Sequence, residues 1–186
     1  MVTKQLSLDR QGLSPGFHLK EKHVRPDIWD VQKVSLATQV LSRKTANMLP
    51  LFCDEPDKSR CQALASFCLL FNDMFDRLNS LAGEVVEKRR PVTKDNKCEV
   101  QQELHMYISR LQAYRNAFPE FDGDRKVRLA DITLDDWITT LQSSIEYIEI
   151  LLEEKGFEFV QMRRINSDFV EVCRAINVHD RRYCRI

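Results

Sequence analysis

Glycine and proline are scarce in this sequence, 5 and 6 of 186 residues. Folds with many tight turns need both, and a Walker-type phosphate loop needs closely spaced glycines. The shortage therefore argues against an all-β fold rich in hairpins and against a P-loop. No charge excess exists either, because 28 lysines and arginines meet 28 aspartates and glutamates. The chain as a whole has no electrostatic pull towards nucleic acid or membrane, and any such contact must come from a local patch. No apolar run reaches the ~18 residues of a membrane span, and the N-terminus lacks an apolar signal segment. A soluble, intracellular protein is expected. The six cysteines, Cys53, Cys61, Cys68, Cys98, Cys173 and Cys184, include no C-x-x-C pair. That removes the usual spacing of zinc and thioredoxin sites, and buried, reduced thiols are expected. His18, His23, His105 and His179 are scattered and match no di-iron or zinc-protease spacing.

What is present is 43% hydrophobic and 30% charged residues, a composition that builds a core and is not that of a disordered chain. Residues 1–27 are polar and broken by Gly12, Pro15, Gly16 and Pro26, which reads as an irregular arm. Val34, Ala37, Leu41 and Met48 then share one helical face, so a helix is predicted from Ile28 to Leu49, ended by Pro50. Leu64, Phe67, Cys68, Phe71, Phe75 and Leu78 follow helical spacing in a segment, Ala63–Phe75, that is apolar nearly all round. This second helix is expected to be central, each fully buried side chain contributing roughly 1.5–3 kcal/mol. Gly83 and the charged stretch Glu84–Lys97 read as a linker.

A third helix is predicted over Glu99–Asn116, with Val100, Leu104, Tyr107, Ile108 and Leu111 on its apolar face. The loop Pro119–Ile132 holds an Asp122-Gly123-Asp124 turn signal but lacks the further ligands of a calcium loop. In the fourth helix Thr133 is a candidate N-cap, with Asp135 and Asp136 suited to the positive end of the helix dipole. Leu134, Trp137, Ile138, Leu141, Ile145, Ile148 and Leu152 form its stripe, and Gly156 suits a left-handed C-cap. Phe157–Met162 reads as a brief extended segment, and a last helix is expected from about Asn166–Ser167 to Ile176. The fold class expected is all-α, a domain of four to five helices.

Three blocks, in order, resemble the P-element and THAP-domain class of DNA transposases. The first is Lys33-Val34-Ser35-Leu36-Ala37-Thr38-Gln39-Val40-Leu41-Ser42, within His23–Ser42. The second is Phe71-Asn72-Asp73-Met74-Phe75-Asp76-Arg77-Leu78-Asn79-Ser80. The third runs from Trp137 to Glu171 and includes Gly156-Phe157-Glu158-Phe159 and Arg163-Arg164-Ile165-Asn166-Ser167-Asp168-Phe169-Val170-Glu171. In that family a helical insertion that binds GTP interrupts an RNase H-like catalytic domain. The resemblance implies an irregular arm at 1–27, a GTP-binding-type insertion at 28–157, and a truncated return to the RNase H-like domain at 158–186. Ser167 stands where the family has glutamine, and Val172-Cys173-Arg174 replaces an aromatic-rich run.

Glu171 would then be the last catalytic carboxylate and a ligand of Mg²⁺. Two-metal strand transfer needs several carboxylates, so the chain alone is expected to be inactive as a transposase. Guanine recognition needs a carboxylate facing N1–H and N2–H₂, with amides for O6 and N7. Asn72, Asp76 and Asn79, on neighbouring turns of one helix, form a candidate set, and Asp168 is a further candidate. The same Asn/Asp cluster also reads as a polar helix edge with a structural role. Lys88, Arg89, Arg90, Lys94 and Lys97 form a basic stretch that suits phosphates, DNA or simply solvent. From Gln161 onward six arginines stand against Asp168, Glu171 and Asp180, whereas Arg128–Phe159 sets eight carboxylates against Arg128 and Lys155. The basic tail suits either a DNA backbone or the acidic helix. GTP, transposon-end DNA, a second copy of the chain and a nuclear location follow from the resemblance. A helical interaction module without nucleotide or catalytic activity is the alternative.

Overall fold

A computed structural model describes residues 19–30 and 33–164. The expected last helix near Asn166–Ile176 lies outside those residues, as do Asp168, Cys173, Cys184 and Glu171. The chain divides into two units, Met1–Phe75 and Asp76–Ile186. The fold is helical, as expected, and no helix among the described residues is long and apolar enough to cross a membrane.

In the first unit, the single helix expected over Ile28–Leu49 is two helices, α1 (Val34–Val40) and α2 (Arg43–Met48). The break comes at Leu41, with φ −88° and ψ 52°, and at Ser42, which is extended. The Ser42 hydroxyl accepts the Thr45 N–H at 3.2 Å and so caps α2. A serine offers the backbone this alternative to continuing a helix, and apolar spacing does not register it. Ile28 and Trp29 lie before α1 and are exposed. Replacing Ser42 by alanine is expected to lower stability by about 1 kcal/mol, measured as a shift of the denaturant midpoint.

A 3₁₀ turn at Glu55–Asp57 leads into α3 (Lys58–Leu78), whose residues up to Phe75 belong to the first unit. Ala46 and Leu49 pack against Cys68, with Leu41, Ala65 and Leu69 at the edge. The Phe67 and Phe71 ring centres are 4.7 Å apart. Buried apolar positions of α3 are Cys68, Leu70, Phe71 and Met74, while Leu64 is 46% exposed, so the apolar segment is not buried all round.

The cysteine expectation holds only in part. Cys53 and Cys61 are joined in a disulfide, their Cα atoms 6.5 Å apart. The turn at Glu55–Asp57 folds the chain back and brings Cys53 to the start of α3. Cys68 is a buried thiol, pushed up in pKa by burial, and Cys98 is an exposed one.

The second unit is built on α4 (Lys97–Ala117) and α5 (Asp131–Glu149). Lys97 at the start of α4 reaches Glu149, the last residue of α5, at 3.0 Å and Glu153 just beyond it at 2.9 Å. Arg115 near the end of α4 reaches Asp135 at the start of α5, at 2.5 Å. The two helices are therefore antiparallel. Their predicted stripes face inward: Val100, Leu104, Tyr107, Ile108 and Leu111 are buried, as are Leu134, Ile138, Leu141, Ile148 and Leu152. Thr133 is not the cap. α5 starts two residues earlier, at Asp131, whose N–H is met by the Glu120 carboxylate at 3.3 Å.

α5 runs into a single π turn, Ile150–Glu154, and Gly156 follows with φ +69°, the left-handed conformation predicted there. The loop expected at Pro119–Ile132 contains a short hairpin, β2 (Phe121–Asp122) with β3 (Arg125–Lys126), turning at Gly123 with φ +61°. The expected linker Glu84–Lys97 contains a 3₁₀ turn, Glu87–Arg89, and β1 (Val92–Thr93). β1 pairs antiparallel with β4 (Phe159–Val160), Val92 opposite Val160. The fully buried Ser80 closes the same clasp: its hydroxyl accepts the Met162 N–H at 3.0 Å and its carbonyl the Arg163 N–H at 3.2 Å.

Candidate functional site

The candidate residues sit along the C-terminal half of α3 and the turn after it. Asn72 belongs to the first unit. Its Oδ1 accepts the backbone N–H of Arg43 at 3.1 Å, the first residue of α2, whose N–H has no partner within that helix. Arg43 also donates to Asp73 at 2.7 Å. Asn72 thus has a structural task, capping a helix on which it does not lie.

Asp76 and Asn79 belong to the second unit. Asp76 is buried, and both Nε and Nη2 of Arg89 converge on its Oδ1, at 2.8 and 2.7 Å. Arg89 is held by the turn Glu87–Arg89, with its carbonyl accepting the Leu81 N–H at 2.8 Å. Asn79 is half-buried, and its N–H donates to the Asp76 carbonyl at 3.3 Å. Asp168 and Glu171 lie outside the described residues, so the expected set is seen in part.

Beside this lies a network that residue spacing did not reveal. Glu103 on α4 accepts from Arg77 Nε at 2.9 Å and Nη2 at 2.7 Å, from the Tyr107 hydroxyl at 2.5 Å, and from Lys88. Lys88 also donates to the Tyr107 oxygen at 3.0 Å. Burial pushes the Glu103 carboxyl up, but hydrogen bonds from Lys88 and Tyr107 and the charge of Arg77 outweigh it and leave the group below the usual glutamate value. Burial, and then the hydrogen bond to Glu103, raises the Tyr107 phenol well above its ordinary value. A signal existed in the sequence: Glu103 and Tyr107 are four apart on one helix face, and Arg77 ends an apolar helix.

The basic stretch is therefore largely spoken for within the second unit. Lys88 serves Glu103, Arg89 serves Asp76, and Lys97 serves Glu149 and Glu153, while Arg90 and Lys94 are exposed. Among the described residues no group of three or more His, Cys, Asp or Glu side chains is placed to hold a metal ion. The magnesium ion implied by the resemblance finds no fit among them.

Residues 2–88 match the family described as TNP-like, GTP-binding insertion domain. That part of the chain is similar to the nucleotide-binding insertion of transposases, and it contains the first two blocks together with Asn72, Asp76 and Asn79 and ends one residue before Arg89. No curated protein and no solved structure matches the chain.

Proposed function

We propose that the chain is a GTP-binding helical insertion of a P-element-like DNA transposase, with Asp76 and Asn79 recognising the base. The observation that carries this reading is the coincidence of the family match with a buried carboxylate already holding a two-donor partner. A guanidinium edge and the N1–H/N2–H₂ edge of guanine both offer adjacent N–H donors to a carboxylate. Guanine takes the place of Arg89 on Asp76, and the Asn79 amide serves the neighbouring base atoms. The released Arg89, with exposed Arg90 and Lys94 near it in sequence, faces the phosphates. Asp168 adds a contact from beyond the described residues. Bound GTP supplies a base-specific anionic ligand that organises the protein for DNA, not a fuel.

In the same reading Glu171 is the last carboxylate of a metal-dependent strand-transfer site that other carboxylates complete. Transposon-end DNA is the partner and the nucleus the location. Calorimetric titration of the full chain with GTP, with ATP as control, tests the proposal. Saturable binding of GTP and none of ATP is the expected result. A folded, helical chain that binds neither would overturn it and leave a helical interaction module.

A further inference from the structure

The second unit carries an apolar groove of about 550 Å³, lined by Tyr147, Leu151, Phe157, Phe159, Val160 and Arg164 among others. Its rings are conspicuously open to solvent: Phe157 is 52% exposed, Phe159 45% and Tyr147 39%. Rings of this size in one place mark a surface that something covers. Two observations identify the occupant. First, Arg164 is both a wall of the groove and the last described residue, so the chain leaves from the groove itself. Second, the next twelve residues carry Ile165, Phe169, Val172 and Ile176 at intervals of four, three and four, one apolar stripe at helical spacing. Ser167, Glu171 and Arg174 fall on the opposite side of that pattern.

Charge agrees with the fit. Glu146, Glu154 and Glu158 are exposed and take part in no ion pair among the described residues. They neighbour the groove residues Tyr147, Leu151, Phe157 and Phe159 in sequence. Beyond Arg164 the segment 165–176 carries Asp168 and Glu171 against Arg174, and the arginines Arg181, Arg182 and Arg185 follow it against Asp180. An apolar groove with Glu158 in its wall suits a segment with an apolar stripe that runs on into a basic end.

We propose that the groove is the seat of the chain's own continuation, Ile165–Ile176, which lays its stripe over Tyr147, Phe157 and Phe159. Seating by that stripe turns Glu171 to the outside. The inference stands apart from nucleotide binding, since a chain that fails to bind GTP still has both groove and stripe.

Replacing Phe169 by p-benzoylphenylalanine in the full chain and irradiating dilute protein tests it. The expected product is a crosslink within one chain to a residue between Tyr147 and Gln161, located by peptide mass spectrometry. Crosslinks elsewhere in the chain, or only between chains, overturn the proposal, the latter pointing to a second copy as occupant. A second measurement needs no crosslinker. Phe169→Asp is expected to speed tryptic cleavage after Arg163 and Arg164 by about tenfold or more, because cleavage follows the population of the unseated segment. Ser167→Asp, on the opposite side of the pattern, is expected to leave the rate unchanged. Equal rates in the two variants would sink the idea.

Discussion

Glu103→Gln is expected to destabilise the second unit by about 3 kcal/mol, the cost of removing one partner from a buried ion pair. Arg77 is only 7% exposed and both of its donor contacts to Glu103 are charge-assisted. A glutamine amide offers one neutral acceptor where the carboxylate served Arg77, Lys88 and Tyr107 together. Lys88 keeps some solvent, which places the effect at the lower end of the range for such pairs. Denaturant unfolding of the two proteins at neutral pH measures the difference. The pH dependence carries the same signature. The folded Glu103 pKa lies below the ordinary 4.5, so its stabilisation is complete above pH 4.5 and fades as pH falls through the folded value. The wild-type protein should lose part of its advantage over the glutamine variant on that acid side. An advantage that is the same at pH 7 and pH 3 would refute the assignment.

Asp76→Asn is expected to weaken GTP binding by about 10- to 100-fold, since hydrogen bonds to a charged group are worth more than neutral ones and the amide presents one donor towards the base. Its effect on folding is expected to be small. The Arg89 side chain is 42% exposed, and ion pairs with that much solvent contribute about 0–1 kcal/mol. Affinity and stability therefore separate in this variant, whereas replacing a purely structural aspartate would leave nucleotide binding as it was. Parallel calorimetry with GTP and thermal denaturation of the variant reads both.

The apolar stripes of α4 and α5 were legible in the sequence because each helix buries one face against the other, and regular spacing records that arrangement directly. Gly156 was legible because few residues but glycine tolerate its conformation. Helix starts were not. Asn72 caps α2 and Glu120 meets the first N–H of α5, and both act from elements other than the helix they serve. A local rule for caps looks for a side chain beside the helix start, so it proposed Thr133, and Ser42 was passed over because the apolar spacing ran one helix through it. The candidate site was legible as residue types on one helix, Asn72, Asp76 and Asn79, but not as partnerships. Arg89 and Lys88 are 13 and 15 residues from the carboxylates they meet, and only the fold of the turn at Glu87–Arg89 decides that pairing. The same limit hid the disulfide, since Asp54 and Pro56 mark a turn but do not show that it brings Cys53 to Cys61.

The clasp of β1 with β4, joined by the Ser80–Met162 bond across 82 residues, has a consequence for the order in which the second unit assembles. The α4–α5 hairpin closes through residues 118–130 alone and gains most of its buried stripe at once. Bringing Val92 to Val160 gains two rungs of a ribbon for a far longer closure, whose entropy falls sharply only after the hairpin has already drawn those ends together. Assembly therefore runs from hairpin to clasp, and opening runs the other way. The residues that leave at Arg164 are attached to the part of the unit that closes last, so the seating of the tail waits on the completion of everything before it.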